Sequence, residues 1–88
     1  MSQLVPHFTF TLGRHESIGP TELGALWRQA SGSARIRVGR HVVRGDHERP
    51  VYTLYGVAGL PDLAGAERRL REMFAAASIN ASLMPVGG

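Results

Sequence analysis

Residues 34–57 read ARIRVGRHVVRGDHERPVYTLYGV, and this stretch predicts two β-strands joined by a turn. The apolar residues Ile36 and Val38 alternate with arginines, which is the period of a strand with one buried face. Residues 45–50 are dense in turn formers, and residues 51–57 are rich in β-branched and aromatic side chains. The chain is therefore predicted to form a long β-hairpin near its centre.

A strand and a helix are predicted ahead of the hairpin. Residues 4–12 alternate apolar and polar side chains, which puts Phe8 and Phe10 on a core face and His7 on the opposite face. The helix over residues 20–30 begins at a Gly-Pro pair, because proline suits the first helical turn. Its apolar stripe comprises Leu23, Leu26, Trp27 and Ala30.

A second helix and a last strand are predicted after the hairpin. Gly59 and Pro61 precede the helix, and charged residues form its solvated face. Residues 79–86 alternate again, and Pro85 favours an edge strand or the end of one. The apolar stripe of this helix comprises Leu63, Ala66, Leu70, Met73, Phe74 and Ala77.

The resulting order of elements is βαββαβ. Two right-handed βαβ crossovers joined by a hairpin give a four-stranded antiparallel sheet with both helices on one face, which is a ferredoxin-like α+β sandwich. The strands over residues 4–12 and 51–57 would be central, and the other face of the sheet would be uncovered. We expect a single domain over residues 1–88, with an ordered core over about residues 4–86.

Composition narrows the classes of function. The 88 residues include no cysteine, which excludes disulfides and thiolate sites and leaves a small core that favours a homodimer. The N-terminus has no basic leader and no run of eighteen apolar residues occurs, so we expect a cytoplasmic protein without a membrane partner. We expect no enzyme, no catalytic residues, no cofactor and no metal site. The four histidines, which lack metal-ligand spacing, are His7, His15, His41 and His47.

The positive charge of the chain is concentrated in the hairpin. All ten basic residues are arginine, and residues 34–50 hold five of them against two acids, a surplus of +3 that equals the formal net charge of the chain. Arginine offers a planar fork of donors that suits phosphate and carboxylate groups. The arginines therefore indicate that the hairpin is an anion-binding surface. Alternatively, because lysine is absent from the whole chain, the use of arginine reflects only the codon usage of a GC-rich genome.

Gly39 decides whether those arginines share a face. Val42 and Val43 are adjacent, which strict alternation cannot place on one face, and a bulge at Gly39 would resolve this. With the bulge, Arg40 and Arg44 join the other hairpin arginines on the outer face. Without it, Arg40 and Arg44 point with Ile36 and Val38. Both alternatives are open at this point.

We expect a small non-catalytic binding or regulatory module that self-associates through its open sheet face or an edge strand. The alternative is a domain that binds single-stranded RNA or DNA through its arginines, with a tyrosine stacking on a base. Tyr52 and Tyr55 are three residues apart and point to opposite faces, which departs from the strand signature of RNA-recognition motifs. The candidate residues for either partner are Arg35, Arg37, Arg40, Arg44, Tyr52 and Tyr55.

A third hypothesis is a sensor of small anions or amino acids. In strand order the chain is similar to small regulatory domains of the ACT type, which bind amino acids at the loop between the first strand and the first helix. Free N–H groups at the start of the helix would suit a carboxylate or phosphate there. The candidate loop residues are Gly13, Arg14, His15, Ser17 and Gly19.

Overall fold

The computed structural model describes residues 3–13, 16–43 and 49–86. Its four strands form one antiparallel sheet in the order β2-β3-β1-β4, so that β1 and β3 are central as predicted. The order βαββαβ and the ferredoxin-like α+β fold are confirmed. The elements are β1 (Leu4–Leu12), α1 (Pro20–Ser31), β2 (Ile36–Val43), β3 (Arg49–Val57), α2 (Leu63–Ala76) and β4 (Ala81–Pro85).

Aromatic side chains of the central strands fasten both helices to one face of the sheet. Phe10 stacks on Tyr52 with 4.9 Å between ring centroids and meets Phe74 of α2 at 5.1 Å. Phe8 meets Trp27 of α1 edge-on at 5.8 Å. Because Phe8 and Phe10 share a face of β1, both helices cover that face, and the predicted core position of Trp27 is confirmed.

The helix boundaries follow from local chemistry. Gly32 takes a left-handed conformation with φ of 70° and ends α1, one residue beyond the predicted end. At the start of α2, the Asp62 carboxylate accepts a hydrogen bond of 3.1 Å from the Gly65 backbone N–H. The predicted apolar stripe of α2 is buried only in its middle, because Leu63 and Ala77 lie at its ends and are exposed.

His7 departs from the predicted alternation of β1. The register of β1 against β3 shifts between Pro6 and Phe8, so His7 occupies a bulge and lies beside Phe8 on the core side. The ring is buried, and Nε2 lies 2.8 Å from the Val57 carbonyl oxygen. The placement of His7 on the opposite face was therefore wrong, because the bulge inserts one residue into the strand.

No bulge occurs at Gly39. Strand β2 pairs with β3 in one unbroken register from Ile36 opposite Gly56 to Val43 opposite Arg49. Ile36, Val38 and Arg40 therefore share the helix-covered face, while Arg37 and Gly39 share the other. Of the two alternatives left open by the sequence, the regular strand is the one that forms.

None of the helices in the described ranges is long and apolar enough to cross a membrane.

Candidate functional site

None of the described segments covers the sheet face opposite the helices, and we call this face the open face. Alternation along each strand, counted from the buried residues of the other face, assigns its members. Apolar and hydroxyl side chains predominate, and Met84 is 63% exposed. The open face comprises Leu4, Pro6, Thr9 and Thr11 of β1, Arg37, Gly39 and His41 of β2, Val51, Thr53, Tyr55 and Val57 of β3, and Ser82 and Met84 of β4.

Tyr55 is the large aromatic residue of the open face, which confirms that one of the two hairpin tyrosines lies there. The Arg37 guanidinium lies 4.4 Å from the centroid of the Tyr55 ring, in a cation–π contact. The ring also extends across Gly39, where a Cβ atom would lie only 3.2 Å from Tyr55 Cε1. Gly39 thus accommodates the ring of a neighbouring strand rather than a bulge.

The hairpin arginines do not form one surface. Arg35 is exposed just before β2, and Arg37 lies on the open face. Arg40 lies on the opposite side of the sheet, because the register of β2 is unbroken there. Arg44 lies outside the described residues. The nucleic-acid hypothesis requires a row of arginines beside an exposed tyrosine. The described part of the hairpin does not have this arrangement.

Tyr52 belongs to the core. Its ring is 2% exposed and stacks on Phe10, so it offers no surface on which a base could stack. Its hydroxyl is a buried side-chain polar atom for which the described residues supply no hydrogen-bond partner. A buried hydroxyl without a partner costs about 1–3 kcal/mol, so this group is energetically unfavourable in the core.

A cavity of about 310 Å³ adjoins Tyr52 on the helix-covered side of the sheet. Its walls come from the first turn of α1, from the loop ahead of it and from the two hairpin strands. The hairpin register brings Arg40 to this cavity. Of the two alternatives considered for Gly39, only a strand without a bulge puts Arg40 on this side of the sheet. The lining residues are Ile18, Pro20, Leu23, Val38, Gly39, Arg40 and Tyr52.

The loop between β1 and α1 is tied to the segment ahead of β4. The Gly13 N–H donates to the Asn80 carbonyl oxygen over 2.9 Å, and the Glu16 carboxylate accepts from the Asn80 N–H over 3.0 Å. Among the candidate loop residues, Ser17 and Gly19 are exposed, whereas Arg14 and His15 lie outside the described residues. The loop reaches the cavity through Ile18 and Pro20, which lie within the predicted loop of residues 13–20 but are not among its candidate binding residues.

Within the described ranges, no three histidine, aspartate or glutamate side chains come close enough to hold a metal ion. No family model, curated protein or solved structure matches this chain.

Proposed function

We propose that this protein is a small non-catalytic interaction module that forms a homodimer through its open face. The observation that carries the proposal is the makeup of that face. Leu4, Tyr55 and Met84 supply apolar surface, and threonines fill its centre. Among its described side chains, Arg37 is the only arginine or carboxylate, so two copies of the face meet with little electrostatic repulsion.

The size of the open face fits a dimer of modest affinity. Four strands about 4.8 Å apart, at about 3.3 Å per residue, give a face of about 19 by 25 Å. Two such faces bury on the order of 1,000 Å² in total, which is the lower limit for a specific interface. We therefore expect reversible association in the micromolar range rather than an obligate dimer.

Pairing through the edge strand β2 is less favourable than pairing through the open face. Two β2 strands laid side by side would bring together the arginines of both copies, since Arg37 and Arg40 project on either side of the strand. Charged side chains on an edge strand oppose such pairing. In contrast, a two-fold axis parallel to the strands sets β2 of one copy over β4 of the other and keeps the two Arg37 side chains apart.

Substitution at Met84 tests the proposal. Met84→Arg adds a charge to the open face at a side chain that is already 63% exposed, so the fold of one copy loses little. Ala25→Arg adds the same charge on the exposed side of α1 and is the matched control. Light scattering over a range of concentrations should show a dimer for wild type and for Ala25→Arg, and a monomer for Met84→Arg. Equal dimerisation of all three proteins would rule out the open face.

A single introduced thiol locates the interface, because the chain has no cysteine. Thr9 lies on the central strand β1 of the open face, near the proposed two-fold axis. With a short bismaleimide, Thr9→Cys should give a cross-linked dimer, and Ala25→Cys should remain largely a monomer. Light scattering at low and high salt, with and without a mixed-sequence single-stranded RNA, separates this function from nucleic-acid binding, whose affinity falls steeply with salt.

A further inference from the structure

The cavity beside α1 has apolar walls and one charged residue. Ile18, Leu23 and Val38 supply the walls, and Arg40 is the only charged residue among the described residues of the lining. A volume of about 310 Å³ is at the small end of the range for sites that hold small molecules. Arg40 is exposed, and none of the described carboxylates forms an ion pair with it.

Arg40 and Tyr52 stand next to each other at this cavity. They are directly opposite in the β2–β3 register and on the same face, which places their Cβ atoms about 5 Å apart. Both side chains are long and end in hydrogen-bond donors, a guanidinium and a phenolic hydroxyl. Within the described part of the chain the hydroxyl is buried without a hydrogen-bond partner, and Arg40 has no carboxylate partner.

We propose that this cavity binds a small carboxylic acid with an aromatic or branched aliphatic body. The carboxylate bridges the Arg40 guanidinium and the Tyr52 hydroxyl, and the apolar body lies against Ile18, Leu23 and Val38. Arginine suits a carboxylate because its planar fork matches the two oxygens. The bound oxygen accepts a hydrogen bond from the Tyr52 hydroxyl, for which the described residues supply no acceptor, once the ring shifts toward the ligand.

The lining also selects against related ligands. An amino acid carries an ammonium group, and none of the described lining residues is acidic and could receive it. Inorganic phosphate has no apolar part to fill the space between α1 and β2. The site lies on the helix-covered side of the sheet, so it does not depend on the proposed dimer and can be tested on the Met84→Arg protein as well.

The first experiment is an NMR titration of the isotopically labelled protein with phenylacetate and, separately, with phenylacetamide. Phenylacetate should shift the amide signals of Ile18, Leu23 and Arg40, with saturation below about 10 mM. Phenylacetamide has the same shape without the charge and should bind at least about tenfold more weakly. Leucine and inorganic phosphate should bind more weakly than phenylacetate as well.

Two substitutions separate binding from a structural role. Arg40→Met keeps the aliphatic stem and should weaken phenylacetate binding about tenfold or more, whereas Arg35→Gln, an exposed arginine of the same stretch, should leave it unchanged. Tyr52→Phe should weaken binding about three- to tenfold. The same variant should unfold at an equal or higher urea concentration than wild type, since it removes an unpaired buried hydroxyl.

Weaker phenylacetate binding by Tyr52→Phe without any loss of stability distinguishes a ligand site from a packing defect. The proposal is overturned if phenylacetate and phenylacetamide bind alike, if Arg40→Met binds as wild type does, or if the shifted amides belong to the open face. Absence of any binding at about 10 mM phenylacetate also overturns it. Retained binding in the Met84→Arg protein, together with loss of its dimer, would show that the cavity and the dimer interface are separate.

Discussion

The indole Nε1 of Trp27 donates a hydrogen bond of 2.8 Å to the carbonyl oxygen of Tyr55. This bond joins helix α1 to the strand whose Tyr55 side chain projects from the opposite, open face. It lies where the β1–β3 ladder is irregular, since Pro6, the β1 partner of Tyr55, has no N–H to donate. A core side chain, Trp27, therefore helps to fix the backbone position of Tyr55, whose ring lies on the open face.

Trp27→Phe tests the contribution of this bond. Phenylalanine keeps an aromatic ring in the core but removes the indole N–H and part of the buried volume. We expect the free energy of unfolding to fall by about 1–3 kcal/mol, from the lost bond and the space left behind. Urea unfolding followed by circular dichroism measures it, because Trp27 is the only tryptophan and its fluorescence is lost. An unchanged midpoint would show that the hydrogen bond contributes nothing.

A coupling between Gly39 and Tyr55 follows from their close approach. A Cβ atom at position 39 would lie 3.2 Å from Tyr55 Cε1, so the ring would have to move by a few tenths of an ångström to admit it. We therefore compare the loss in free energy of unfolding caused by Tyr55→Ala in two backgrounds, in a double-mutant cycle. The loss should be about 0.5–1 kcal/mol larger in wild type than in the Gly39→Ala protein. A Cβ atom at position 59 would meet no described atom within 4 Å beyond its chain neighbours, so the cycle of Gly59→Ala with Tyr55→Ala serves as the control and should be additive. Additivity at Gly39 too would mean that the ring does not depend on the glycine.

The fold could be predicted from the sequence because each element carries its own periodicity. The alternation around Phe8 and Phe10 and the stripe containing Trp27 are local patterns, and burial follows them. The order of these elements then limits the topology to a single open sheet. The alternation assigned His7 to the wrong face, because the bulge adds one residue to the strand and leaves no mark in its composition.

The candidate site was less predictable, since it depends on register between strands. Arg37 and Arg40 look equivalent in the sequence, and only the unbroken pairing with β3 puts them on opposite sides of the sheet. The neighbouring positions of Arg40 and Tyr52 follow from the same register. The reach of Ile18 toward β2 depends on the path of a loop, which no periodicity describes.

Arg69 connects the two helices, although the sequence pattern assigns it to the solvated face of α2. Its Nε donates over 2.8 Å to the Ala30 carbonyl oxygen in the last turn of α1, and a second guanidinium nitrogen lies 3.7 Å from the Asp62 carboxylate. Arg69→Met should lower the free energy of unfolding by about 1–2 kcal/mol. Arg68→Met changes the adjacent, exposed arginine and should cost no more than about 0.5 kcal/mol. Equal effects in urea unfolding would place Arg69 among ordinary surface charges.

Arg37→Gln distinguishes the two leading functions by the sign of its effect. Arg37 is the one arginine among the described side chains of the open face, so its removal lowers the repulsion between two copies. We expect the dimer dissociation constant to fall about twofold at low salt and to depend less on salt, as measured by sedimentation equilibrium. Arg35→Gln, outside the open face, should leave the constant unchanged.

A nucleic-acid-binding domain would behave differently, since loss of a phosphate contact weakens RNA binding and reduces its salt slope. Weaker dimerisation of Arg37→Gln together with weaker binding of single-stranded RNA would favour the nucleic-acid function over the dimer.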